Sequence, residues 1–137
     1  MSKYNKDEQM MLFPLEELSD ENLALNRGEN RIKLVKEWQR LTGKSGTSLS
    51  ILCGELTALE YKVLFGTSNV VVVAKDAWGT EKKILNNFQI LAVAHVEKEH
   101  LDELKRYQGF LGKYSIKKKL MKTCQFVKEK RNIKDIE

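Results

Sequence analysis

The side chains best equipped for chemistry in this sequence are cations, and they are concentrated at one end. Residues 105–137 hold eleven lysines and arginines against three acids, whereas residues 1–30 hold three basic and seven acidic side chains. The net charge of +5 thus conceals a basic end of +8 and an acidic beginning of −4. Lys117, Lys118, Lys119, Lys122, Lys128, Lys130 and Arg131 fall in one stretch. Each cation that neutralises a phosphate releases condensed counterions, so such a run binds nucleic acid without regard to sequence and loosens as salt rises. Tyr107 and Tyr114 lie close enough in the chain to add base stacking. The seven cations and Tyr114 are the expected nucleic-acid contacts. A solvated face that aids solubility is the competing use of the same charges.

Other motifs are weaker. Gly43-Lys44-Ser45 matches the end of a phosphate-binding loop, but Trp38 stands where the motif needs glycine and no strand precedes it, so a polar interhelix turn is expected. His95 and His100 are five residues apart, about 140° around a helix, and do not form a metal pair. Glu60-Tyr61-Lys62 contains the E-x-K fragment of some metal-dependent nucleases, without an aspartate on a preceding strand. Thr57 and Glu60 read more simply as a helix-capping box. Cys53 and Cys124 lack C-x-x-C spacing and are expected as free thiols. No catalytic residue, metal or cofactor is implied.

The acidic beginning carries an apolar segment, Met10 to Leu15, followed by Glu16, Glu17, Asp20 and Glu21. Within it, Gln9-Met10-Met11-Leu12-Phe13 resembles the pentapeptide by which bacterial and phage replication and repair proteins bind the sliding clamp. The resemblance implies that Leu12 and Phe13 enter an apolar cleft while Gln9 supplies a directional hydrogen bond, with Met10 in the aliphatic position. Partner-binding residues would then be Gln9, Met10, Leu12 and Phe13. The alternative is that the same apolar side chains pin the arm to the protein's own core.

The elements that must position these groups follow from periodicity. Residues 1–28 read as an acidic arm and 29–137 as one compact domain. Ile32, Val35, Trp38 and Leu41 give a helix from Arg31 to Thr42, stopped by Gly43. Residues 48–53 and 57–65 read as two helices broken near Gly54, with Gly66 ending the second. That pair, or residues 58–78 with Gly66-Thr67-Ser68 as the turn, would be the material of a helix-turn-helix. Four valines at 70–73 point to a strand over 69–75. Residues 82–96 suit either a helix with Thr80 as N-cap or a second strand at about 88–94. A helix over 97–111 and a basic one over 115–130, with Ile116, Leu120, Cys124 and Val127 inward, complete the chain. The expected class is α+β, predominantly helical, with a small β element.

The chain of 137 residues is 42% hydrophobic and 31% charged, within the range of ordinary globular proteins. Its longest apolar runs fall far short of a bilayer span and its first residues are polar, so a cytoplasmic protein without membrane contact is expected. The leading functional expectation is a non-enzymatic accessory or regulatory protein of DNA or RNA metabolism, of the kind phages and mobile elements carry. Its partners would be nucleic acid and, through the arm, a sliding clamp. A protein-interaction module or homodimer is the alternative, and a small metal-dependent nuclease using Glu60 the third.

Overall fold

The computed structural model describes residues 19–71 and 83–136. Four helices account for most of them: α1 (Asp20–Thr42), α2 (Gly46–Phe65), α3 (Asn87–Leu104) and α4 (Lys113–Lys130). Over the described residues the protein is an all-helical bundle, which corrects the expected α+β class. Extended pairing is limited to β1 (Val70–Val71) against β2 (Lys83–Ile84), two residues on each side, too short to organise a layer. The valine run thus contributes two described strand residues, and the rest of 69–75 lies outside the described residues. The second candidate strand, 88–94, is helical. It begins at Asn86, not Thr80: Asn86 Oδ1 accepts from the Gln89 amide at 2.8 Å while Gln89 Oε1 accepts from the Asn86 amide at 2.9 Å. This reciprocal box fixes the start of α3 and decides a run whose periodicity suited either form.

The pentapeptide Gln9–Phe13 also lies outside the described residues, whereas residues 20–28 of the expected arm form the first turns of α1. Ser19 caps that helix by accepting from the Asn22 amide at 3.2 Å. The inward stripe of α1 is Leu23, Asn30, Leu34, Trp38 and Leu41. Ile32, expected inside, is 60% exposed. Spacings of three and four continue from Leu34 through Trp38 to Leu41, so Leu34 and not Ile32 belongs with them.

Helix α2 runs unbroken through Gly54 and Thr57 to Phe65, which removes both the expected break and the capping box. Thr57 Oγ1 instead donates to the Cys53 carbonyl, one turn back. One continuous helix over 48–65 also excludes the first helix-turn-helix, and the extended Val70–Val71 excludes the second. Gly66 terminates α2 as expected, with φ of 79° and its N–H bonded to the Lys62 carbonyl.

Cross-links between helices establish their directions. Arg31 to Glu97, Trp38 to His100 and Arg40 to the Leu104 carbonyl advance together along α1 and α3, which are parallel neighbours. Glu55 with Lys113 and Lys117, then Val63 and Leu64 with Lys128, make α2 and α4 parallel as well. Helices α3 and α4 are antiparallel, since Lys119 meets Tyr107 and Arg131 meets His95. The α1–α2 turn and the α3–α4 loop therefore share one end of the bundle. Leu34, Trp38, Leu56, Leu64, Val96, Leu101, Ile116, Leu120 and Val127 fill the centre.

Candidate nucleic-acid interface

The basic helix α4 buries Ile116, Leu120, Cys124 and Val127 and turns its remaining surface outward. Intramolecular bonds sort its cations into two groups. Lys117 and Lys113 both approach Glu55 Oε1, at 3.4 and 3.3 Å, and hold the Glu55 carboxyl below its usual range. Lys119 donates to the Tyr107 hydroxyl and lies 4.3 Å from the centre of that ring. Arg131 donates to His95 Nδ1 at 2.9 Å and to Asp20 at 2.8 Å.

Lys128 donates to the carbonyls of Val63 and Leu64, at 3.1 and 2.9 Å, and pairs with Asp135. It thereby satisfies acceptors that the end of α2 leaves open, with a charge of the favourable sign for the helix dipole. Lys128→Ala is expected to cost roughly 1–2 kcal/mol in urea unfolding, against less than about 0.5 kcal/mol for Lys118→Ala or Lys122→Ala. Equal costs at the three positions would contradict this division.

Lys118, Lys122 and Lys130 are exposed. Lys118 and Lys122 have no ion pair or hydrogen bond among the described residues, and the Lys130 ammonium lies 5.7 Å from the Phe126 ring. Helical geometry places Tyr114, Lys118, Lys122 and Phe126 along one outward strip, successive members about 40° apart. Tyr114 is 79% exposed, with the Lys113 and Lys117 ammonium groups each 5.8 Å from its ring. Seven expected cations thus resolve into three outward ones and four drawn into bonds within the bundle. Tyr107, the other expected stacking residue, is occupied by Lys119.

Sequence reasoning missed Phe110, 80% exposed in the α3–α4 loop, and the exposed Phe126. The available signal for Phe110 was its place in Gly109-Phe110-Leu111-Gly112, where no helical period gives an aromatic ring an inward direction. Near the same end, Lys44, Ser48, Ile51, Leu52, Glu55 and Lys113 line a cavity of about 240 Å³. Gly43-Lys44-Ser45 is the expected turn between α1 and α2.

The interior holds a second constellation. Glu60 on α2 and Glu97 on α3 are 1% and 5% exposed. Arg31 on α1 donates to Glu97 at 3.0 Å and to Thr57 at 2.6 Å. Burial first, and the adjoining Glu97 carboxylate second, hold the Glu60 pKa well above the usual carboxylate range. The same two carboxylates add to burial in raising Tyr61 and Cys124, so the pair is felt from α2 to α4. A protonated Glu60 stabilises the fold below its unfolded pKa near 4.5, and that contribution disappears as pH rises through the folded value. Glu60→Gln keeps a donor for Glu97 but cannot ionise. Its stability relative to the native protein is expected to increase from pH 5 to pH 8 in urea titrations, and a constant difference would contradict a Glu60 held protonated in the fold.

Among the described residues, no three His, Cys, Asp or Glu side chains are grouped to hold a metal ion. His95 and His100 are both buried but have separate partners. His100 Nε2 accepts from Trp38 Nε1 at 3.1 Å, and burial lowers its pKa to about 4. Stability from this neutral histidine is intact above about pH 6.5 and is lost as pH falls toward 4, a difference of about 3 kcal/mol. His100→Gln should flatten that part of the pH–stability curve; an unchanged slope between pH 6.5 and 4 would contradict it.

No protein-family model matches the chain, and comparison with curated proteins and with solved structures finds no match. No helix among the described residues is long and apolar enough to cross a membrane.

Proposed function

We propose that this protein binds the phosphate backbone of nucleic acid along the outer strip of α4. The observation that carries the reading is that Lys118, Lys122 and Lys130 remain outward and available on a helix whose other cations are bound within the bundle. Lysines with acidic partners add little to the attraction for a polyanion, whereas these three offer their full charge. Fluorescence anisotropy with a labelled 15-nucleotide strand tests the proposal. Binding is expected at 50 mM salt and should weaken at least about tenfold by 200 mM. No binding at 50 mM would overturn it.

A second reading rests on a different surface. Asp20, Glu21, Ala24, Arg27, Asn87, Ile90, Leu91 and Ala94 line a groove of about 460 Å³ between α1 and α3. Its apolar floor suits a protein segment. Sedimentation showing concentration-dependent mass, unaffected by neutralising the α4 lysines, would favour this protein-interaction role over nucleic-acid binding.

A further inference from the structure

We propose that Phe110 and Tyr114 form a stacking platform that selects single-stranded nucleic acid over duplex. This inference rests on the reading of α4 as a phosphate-binding strip and names the class of substrate that the strip takes.

Exposure is the first ground. Phe110 and Tyr114 are 80% and 79% exposed, although burying such a ring is worth roughly 1.5–3 kcal/mol to a fold. Neither ring belongs to the packed core. Phe110 sits in the loop that joins α3 to α4, and Leu111 beside it is tied by its N–H to the Leu41 carbonyl at 2.8 Å. That bond holds the loop against the end of α1, where the Phe110 ring lies 3.7 Å from the position a Cβ on Gly43 would take. Tyr114 follows in the first turn of α4. Two aromatic rings are therefore carried on anchored backbone at one end of the bundle.

Charge is the second ground. Lys113 and Lys117, whose ammonium groups lie 5.8 Å from the Tyr114 ring, are held by Glu55, but Lys118 one turn on, exposed and unpaired among the described residues, would meet the phosphate of a base stacked there. Lys44 and Lys113 also line the neighbouring cavity of about 240 Å³. From Tyr114 the strip winds through Lys118 and Lys122 to Phe126, about 120° around the helix and about 18 Å along its axis, with Lys130 beyond Phe126 on the adjoining flank. Aromatic rings interleaved with ammonium groups over that length match a strand whose bases and phosphates both face the protein.

Base pairing decides the class. In a duplex the faces of the bases are covered by their neighbours, and lysines alone engage its phosphates. A single strand presents free faces, which stack on aromatic side chains with little sequence preference. Tyr107, whose ring and hydroxyl are both taken by Lys119, contributes nothing to this discrimination.

The test compares three 15-nucleotide probes with the full chain at one salt concentration: a thymidine strand, a duplex, and a strand of abasic sugar-phosphate units. The thymidine strand is expected to bind at least about tenfold more tightly than either of the others. Phe110→Ala/Tyr114→Ala should bring all three to a similar affinity while retaining salt-dependent binding, and Tyr114→Phe should keep the preference. Thermal unfolding of the double variant checks that the bundle is intact. Equal binding of the three probes by the native protein would overturn the platform and leave the phosphate strip standing, as would a preference that survives the double substitution. Binding to none of the probes would overturn both.

Discussion

Replacing Trp38 with alanine is expected to remove about 4 kcal/mol of stability, the largest effect of any single substitution at a buried site among the described residues. Among the described residues Trp38 is the largest fully buried side chain, 1% exposed, and lies in the central layer with Leu34 and Leu41. Its removal leaves a cavity that the surrounding bundle closes only in part. It also deprives His100 Nε2 of its buried donor, which adds the cost of an unsatisfied polar atom. The Arg31 guanidinium, 5.2 Å from the indole ring, loses that contact too. Against a typical total of about 5–15 kcal/mol, the loss would take a marginal bundle close to unfolding at ordinary temperature. Trp38→Phe refills most of the space but not the hydrogen bond, so it should cost distinctly less. Urea titration of both variants measures the difference, and a Trp38→Ala cost below about 2 kcal/mol would contradict the packing described.

The second large effect concerns binding. Neutralising Lys118, Lys122 and Lys130 together, as Lys→Gln, is expected to lower affinity for a single strand about a hundredfold at 100 mM salt. The magnitude follows from losing three phosphate contacts, each contributing about 0.7 to the dependence of log affinity on log salt. Stability should change by less than about 0.5 kcal/mol, because exposed lysines without ion pairs contribute little to the fold. Lys128→Gln should show the reverse pattern, with a weakened fold and nearly unchanged affinity. If Lys128→Gln impaired binding as much as the triple variant did, the division of α4 into structural and available cations would be wrong.

The contrast between these lysines shows what the sequence made legible. The inward stripe Ile116, Leu120, Cys124 and Val127 has a clean helical period, and all four residues are buried. The chain also marks the basic run. It gives no sign that Glu55, some sixty residues earlier, takes up Lys113 and Lys117, or that the end of α2 takes up Lys128. Those pairings depend on α2 and α4 lying parallel, a consequence of the whole bundle. The α+β expectation failed for a related reason. β-branched residues at 70–73 favour extended backbone, but only two of them are described as paired, and the apolar run at 88–94 was helical because the Asn86–Gln89 box started it.

Glu60 was misread through local chemistry. Thr57 and Glu60 fit a capping box, yet a helix already in progress supplies the Thr57 amide with its own acceptor, and Glu60 is carried to the interior beside Glu97. Nothing within a few residues of Glu60 announces Arg31 or Glu97, which come from other helices. Phe110 was missed because the expected helix over 97–111 was carried through to Leu111, whereas α3 ends at Leu104 and leaves Phe110 in a loop between Gly109 and Gly112.

The most direct measurement of the central claim is the slope of log binding constant against log salt concentration for the native protein and for the Lys118→Gln/Lys122→Gln/Lys130→Gln variant, with the same single-stranded probe. The native protein should bind with a clear negative slope, and the variant's slope should be shallower by about 2, the share of three phosphate contacts. Identical slopes, or no binding by the native protein at 50 mM salt, would contradict a phosphate-binding strip on α4.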